Sequence, residues 1–405
     1  MTRGLLLRAG WGRTILIVLV ALGLAWLGFA FTVSLGKSRE DPTMALELWT
    51  SNSLAHAAMA AQIAAETYAT RPSPEARRHA IASLMDQPGN PVAARIMGVT
   101  AGLSQDRQGL ARWLAYSERY SRRDLGVQLA QIELAVEQGR INETLVHYDR
   151  ALRVFAPQPG LIDVLVSATS LIDVRRPLVA MLRRNPPWRQ SYLIQLVESG
   201  HASVETIYAT LRGAHLDSRQ AFDRRILSEA VALFVSQKRL AMAHALIGRI
   251  AIGVHNGAFE EANLYPPLDW KLADTTDLSG VIEQGTRQNG GNALFVNSSN
   301  GAAGVIAEQV LSLMPGNYDL SALSGDGPAT AAEAPVLTVT CLGSDAIVAT
   351  IPLPTGKDIT RRFRLRFLVP ANCPNQRLAI AATSISGLDA VRPWIDDVVV
   401  SQLPR

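Results

Sequence analysis

The chain has 405 residues, 48% of them hydrophobic and 18% charged. That is enough apolar material for more than one core, and it excludes a globally disordered chain. The 39 basic residues, only four of them lysine, outnumber the 35 acidic ones, but the two signs are interleaved. No concentrated basic face of the kind nucleic-acid recognition requires is present, so nucleic acid is not among the expected partners.

Residues 1–13 carry Arg3, Arg8 and Arg13, and residues 14–35 then run 22 positions without a charge. At 1.5 Å per residue such a helix covers about 33 Å, enough for a hydrocarbon core of about 30 Å. Three arginines before the segment against Lys37 and Arg39 after it favour a cytoplasmic N-terminus and an exported remainder. A cleavable signal peptide is the competing reading. "GFA" ending at Ala30 is a poor cleavage site because the apolar run continues past it, which favours an uncleaved single-pass anchor in the inner membrane.

Residues 42–250 have helical apolar spacing and short connectors. Leu125, Leu129, Ile132 and Ala135 recur at steps of three and four, Gly139 interrupts, and Leu145, Tyr148, Leu152 and Phe155 draw a second stripe. This predicts a helical hairpin. The stretch "EQGRINETLVHYDRAL", with Gly139, Thr144, Tyr148 and Ala151, resembles one tetratricopeptide repeat. Looser echoes about 34 residues apart, at Ala111 and Leu178, predict a solenoid of five or six hairpins, with an irregular all-helical domain as the alternative. Ile132 departs from the repeat, which prefers a small residue there. The resemblance implies a concave face for a protein partner. "ERYSRRD" (118–124) and "MLRRNPPW" (181–188) are exposed candidates, though each also reads as an ordinary helix end.

From residue 254 the apolar period drops to 2, and turns of Gly, Pro, Asn and Asp recur every eight to twelve residues. About eight short strands and a two-sheet β-sandwich over 254–405 follow. The chain is therefore expected to be multidomain: a transmembrane helix, an α-solenoid and a C-terminal sandwich. In "RRFRLRF", Arg362, Arg364 and Arg366 fall on one face and Phe363, Leu365 and Phe367 on the other. Cys341 and Cys373 are the two cysteines, both in this half. In an exported protein they predict a disulfide; a pair of buried free thiols is the alternative.

"NGAFEE" at 256–261, "PPLDW" at 266–270, "PGNYDLSALSG" at 315–325 and "WIDDVVV" at 394–400 resemble, in that order, the galactose-binding-like jelly rolls of carbohydrate-binding modules. The resemblance implies a jelly roll whose first strand begins at Asn256, a glycan ligand, and a structural calcium joining the opening acid Glu260 to the closing acid Asp396. Calcium takes six to eight oxygens, and only these two carboxylates are candidates. No other cofactor is implied.

Sugar recognition needs flat aromatic surfaces edged by amides and carboxylates. Tyr265, Trp270, Tyr318 and Trp394 are the aromatics available, with Asp269, Asn292, Asn297 and Asn300 beside them. Tyr265, in a proline-flanked loop, is the leading ligand candidate, whereas Trp270 and Tyr318 also read as core. Arg364 and Arg366 suit an acidic polysaccharide through bidentate contacts, or form a solvated face. No HExxH, GxSxG, GxGxxG or GxxxxGK[ST] pattern occurs, and the expectation is a non-catalytic binding protein. The alternatives are a protein–protein scaffold with no sugar ligand and, with two carboxylates or a nucleophile and base brought together from distant strands, a glycosidase or esterase.

Overall fold

The computed structural model describes residues 3–66, 71–154, 159–250, 253–284, 291–383 and 391–404, with side chains from residue 13 onward except Pro159. By backbone contacts the chain divides into two compact units, Met1–Ser191 and Tyr192–Arg405.

The first unit opens with α1 (Arg3–Lys37) and continues through α2 (Pro42–Leu48), α3 (Ser53–Glu66), α4 (Pro74–Asp86), α5 (Pro91–Leu103), α6 (Arg107–Tyr120), α7 (Leu125–Glu137), α8 (Ile141–Val154), α9 (Pro159–Ala168) and α10 (Ile172–Leu182). Within α1 the 25 residues Arg13–Lys37 form a helix long and apolar enough to cross a membrane. Its apolar side chains from Ile15 to Phe29 are exposed, while Ala30, Ser34 and Ser38, each four residues apart, are buried. Ser34 Oγ donates to the Ala45 carbonyl at 2.7 Å and accepts from Asn52 Nδ2 at 2.7 Å, which fastens the end of α1 to α2 and to the entry of α3.

Local chemistry starts these helices where it does. Ser73, Asn90, Asp106 and Asp124 each accept an amide hydrogen from the following first turn, and Pro occupies the first positions of α2, α4 and α5, where its missing N–H costs nothing. Gly139, at φ 67°, ends α7 in the left-handed region and turns the chain into α8. The helices α5, α7 and α9 begin at residues 91, 125 and 159, steps of 34, and α6 and α8 begin at 107 and 141, the same step. Helix α5 packs on α6, and also on α3 and α7.

The buried face of α7 is Val127, Gln128, Gln131, Ile132, Leu134 and Ala135, so the expected stripe is rotated. Leu129 is 40% exposed, because α7 is wedged between α5 and α8 and buries the sides around positions 127–128 and 131–132. On α8, Thr144, Leu145, Tyr148, Ala151 and Leu152 are buried as expected, and Phe155 lies outside the described residues. Trp188 is buried, and its indole donates to Asp149 on the earlier helix α8 at 2.9 Å.

The second unit holds α12 (Val204–Ala214), α13 (Ala221–Ser236) and α14 (Leu240–Ile247), followed by ten strands; α11 (Arg189–Glu198) precedes them. The strands are β1 (Lys271–Leu272), β2 (Leu278–Gln284), β3 (Asn292–Ser298), β4 (Gly304–Leu311), β5 (Gly316–Gly325), β6 (Val336–Cys341), β7 (Ile347–Pro352), β8 (Arg361–Val369), β9 (Gln376–Ala382) and β10 (Trp394–Gln402). They form two antiparallel sheets, ordered β1-β4-β9-β6-β7 and β2-β3-β10-β5-β8. Leu294, Ile306, Leu320, Leu337, Ile380 and Ile395 meet between the sheets in one apolar core.

The stretch expected to supply the first strand does not form one. Residues 256–270 run as turns, and the first strand is β1 at Lys271. Asn256 and Phe259 adopt φ of 50° and 57°, which breaks an extended path, and Gly257 lies so close to β10 that a Cβ would meet the Val398 carbonyl oxygen at 1.9 Å. The segment is nonetheless fixed to β10, since Val398 N donates to Gly257 O at 2.9 Å.

Cys341 at the end of β6 and Cys373 before β9 form a disulfide, with Cα atoms 5.3 Å apart. Two buried amides imitate backbone pairing. Gln309 on β4 exchanges hydrogen bonds with both backbone groups of His255, and Gln376 on β9 does so with Leu313.

Candidate functional site

Three of the six glycan candidates lie inside the molecule. Tyr265 is 6% exposed, with the Arg249 guanidinium 5.4 Å above its ring, so the residue expected to face a ligand packs instead. Trp270 is 1% exposed; its ring lies 5.4 Å from Phe259, and its indole donates to the Asn256 carbonyl. Asp269 is fully buried. Its Oδ2 accepts the amides of Leu264 and Tyr265, both at 2.8 Å, and its Oδ1 pairs with Arg249 and lies 3.0 Å from His255 Nδ1. A carboxylate that holds two loop amides and a guanidinium is folding the 264–270 loop, and no face of it remains for a sugar. Tyr318 and Trp394 are buried as well.

The other three candidates share one surface, the outward face of the sheet β2-β3-β10-β5-β8. On β8 the alternation read from the sequence is realised: Arg362, Arg364 and Arg366 are exposed, while Phe363, Leu365 and Phe367 point to the core. Opposite them on β5 stand Leu323, Ser321 and Asp319. Because β8 is an edge strand, its arginines project at the rim of the sheet, and Arg362 pairs with Asp397 of β10 at 2.9 Å.

Asn297 lies on β3, across β10 and β5 from the arginines, and in register it stands level with residue 358 of the β8 side, six and eight residues short of Arg364 and Arg366. Three strand spacings together with that offset place them about 25–30 Å apart. The Asn297 amide donates to Ser279 Oγ at 3.2 Å, and its oxygen accepts from Arg392 Nε at 3.2 Å. Arg392 in turn pairs with Glu283 of β2 at 3.1 Å and lies 4.7 Å above the Phe295 ring. Phe295, Trp394, Ala293 and Leu323 form a small apolar cluster on this face. The result is a chain of amide, guanidinium and carboxylate over an aromatic base, with a row of arginines at the far rim. Sequence reasoning missed Arg392 and Glu283. No local signal marks them: strand pairing brings Glu283, across from Ala293, and Arg392, two residues before Trp394, to Asn297.

Glu260 is exposed, and its Oε1 accepts the Asn292 amide at 2.8 Å. Asp396 is buried in β10, with Oδ1 accepting from Asp397 N. Among the described residues no group of three or more His, Cys, Asp or Glu is placed to hold a metal ion. Each of the two carboxylates expected to hold calcium accepts a backbone amide hydrogen. Asn292 Nδ2 reaches the Phe259 carbonyl, and Asn300 Nδ2 donates to Asp277 at 2.7 Å, so both asparagines serve their own loops.

No protein-family model and no curated protein matches the chain. Solved structures similar to it include the enzymatically active domain of bacteriophage CBA120 tailspike protein 4, at 16% identity over 37% of this chain and 21% of that one, TM-score 0.28. A CBM4 structure matches at 13% identity over 37% of this chain and 99% of that one, TM-score 0.27. TmCBM61 in complex with β-1,4-galactotriose matches at 14% identity over 37% and 97%, TM-score 0.28. The chain thus spans about a fifth of the tailspike domain and nearly all of the two modules. At such identities and scores these likenesses carry no functional assignment.

Proposed function

We propose that the protein is a non-catalytic, membrane-anchored binding protein whose sandwich recognises a glycan, preferably an acidic one, on the outward face of β2-β3-β10-β5-β8. The observation that carries this reading is the convergence on that face of Asn297, Arg392 and Glu283 over Phe295, with Arg364 and Arg366 at its rim. A sugar ring presents hydroxyls that both donate and accept. An amide, a guanidinium and a carboxylate in one line match both roles, and the rim arginines take carboxylates through bidentate contacts. The motif order resembling carbohydrate-binding modules supports the same reading.

In this account α1 is a single-pass inner-membrane anchor with a cytoplasmic N-terminus, and the remaining units are extracytoplasmic. The disulfide between Cys341 and Cys373 fits an oxidising compartment. The helical unit is read as tetratricopeptide-like repeats that hold a protein partner, supported by the 34-residue step between α5, α7 and α9. A protein joining a partner to a polysaccharide in this way suits surface polysaccharide assembly or export.

The test is a pulldown of the full chain in detergent on acidic and neutral polysaccharides. Retention on an acidic polymer, lost in Asn297→Ala and in the double variant Arg364→Ser with Arg366→Ser, supports the reading; equal retention of all variants overturns it. A second reading, a protein–protein scaffold with no sugar ligand, is favoured by one observation: Tyr265, Trp270, Tyr318 and Trp394 are all buried, so none of them offers a flat stacking surface. A folded chain that binds no polysaccharide selects it.

A further inference from the structure

We propose a second ligand site, for a sugar residue carrying a carboxylate, in the cleft between α13 and the outward face of the sheet β1-β4-β9-β6-β7. It lies on the other sheet from the surface above, and neither reading depends on the other. The cleft has a volume of about 590 Å³, inside the range of small-molecule sites.

Two walls face each other across it. Glu229, Ala232 and Ser236 come from one side of α13, at helical steps of three and four. Lys271, Glu308 and Arg377 come from the three neighbouring strands β1, β4 and β9, where Lys271 pairs in register with Glu308 and Arg377 with Val310.

Each wall buries a polar atom that has no hydrogen-bond partner among the described residues. On the sheet it is a donor, Arg377 Nε; on the helix it is an acceptor, Glu229 Oε2. Buried polar groups are paired as a rule, and leaving one unpaired costs free energy. Arg377 and Glu229 keep 37% and 31% of their side-chain surface exposed, so a ligand in the cleft meets a donor on one side and an acceptor on the other, which a hydroxylated acid matches.

The charges select an anion. Glu229 is already paired with Arg225 at 2.6 Å, and Glu308 is shared between Lys271 at 3.1 Å and Arg377 at 3.8 Å. Lys238, just past α13, has no carboxylate partner among the described residues, and it lies over Gly343, where a Cβ would sit 2.7 Å from its ammonium. The three cations Lys238, Lys271 and Arg377 therefore exceed the two carboxylates by one charge. Pro266, Pro267 and Val310 complete the lining with C–H surface suited to the apolar edge of a sugar ring. In the bound state the ligand carboxylate lies between Lys238 and Arg377, and one of its hydroxyls donates to Glu229.

The test is isothermal titration calorimetry of the full chain in detergent, in an Arg364→Ser, Arg366→Ser background that removes the arginines of the other face. The probes are digalacturonate, the neutral disaccharide galactobiose and inorganic phosphate. Digalacturonate is expected to bind at least about 10-fold tighter than either other probe. Glu229→Gln should weaken it about 10-fold, the loss of a hydrogen bond to a charged acceptor. Ala232→Trp, at an exposed position on α13, should fill the cleft and abolish binding while leaving the circular dichroism and thermal midpoint unchanged. The proposal is overturned if digalacturonate does not bind, if phosphate binds as tightly, or if a folded Ala232→Trp variant binds as well as its parent.

Discussion

Replacing Asp269 with alanine removes the acceptor that organises the loop between the last helix and the first strand. The fully buried carboxylate holds the Leu264 and Tyr265 amides at 2.8 Å, the Arg249 guanidinium, and His255 Nδ1 at 3.0 Å. Truncation strands a cation and two amide donors beneath the surface, and breaking a buried pair in this way costs about 3–5 kcal/mol. The Arg249 side chain keeps 23% exposure, so water recovers part of the loss, and about 3–4 kcal/mol is expected. With a urea slope of about 2–3 kcal/mol per molar, the unfolding midpoint of the second unit should fall by about 1–2 M. Hydrogen exchange at Leu264 and Tyr265 should accelerate in the same variant even without denaturant. A stability within about 0.5 kcal/mol of the parent, the usual range of a surface substitution, with both amides still protected, would refute the structural role.

The Cys341–Cys373 bond closes a loop over a sequence separation of 32, so Cys341→Ser with Cys373→Ser should cost about 3–4 kcal/mol. A thermal midpoint lowered by about 10 °C, equally by the double variant and by reductant, checks it. Burial first, and the neighbouring Arg249 charge second, push the His244 imidazole below its ordinary value; burial does the same to His79 and His147. The fold thus favours the neutral rings, and the stability they contribute is complete above the unfolded value of about 6.5 and is lost as pH falls toward the lower folded values. Thermal midpoints should decline between pH 7 and 5, and less steeply in His244→Phe; a midpoint that rises on acidification contradicts this. Arg364→Ser with Arg366→Ser should change stability by no more than about 0.5 kcal/mol, since both are exposed, while adding salt to the parent should weaken its retention on an acidic polysaccharide.

Features written in local periodicity were readable from the chain. The β8 alternation places its arginines outside because a strand repeats every two residues, and Gly139 marks a turn because its φ of 67° suits a residue without a Cβ. The disulfide was readable because the two cysteines of the chain fall in the same half. What depends on distant partners was not readable. Asp269 in a proline-flanked loop has the composition of a sugar ligand, and only Arg249, 20 residues upstream, turns it into a buried anchor. Tyr265 is covered by that same arginine. Helix ends at His215 and Lys238, where non-glycine residues adopt φ of 52° and 60°, lack the glycine that makes such ends visible. Asn297 acquires its neighbours Arg392 and Glu283 across 95 and 14 positions of chain, a pairing set by strand order and not by any local pattern.

The central claim is that the outward face of β2-β3-β10-β5-β8 is the glycan surface. Hydrogen exchange of the full chain with and without an acidic polysaccharide tests it most directly. The account predicts slowed exchange confined to β3, β8 and the Arg392 segment, with the helical unit unchanged. Slowing on the helices alone, or none anywhere while the polysaccharide demonstrably binds, would contradict it.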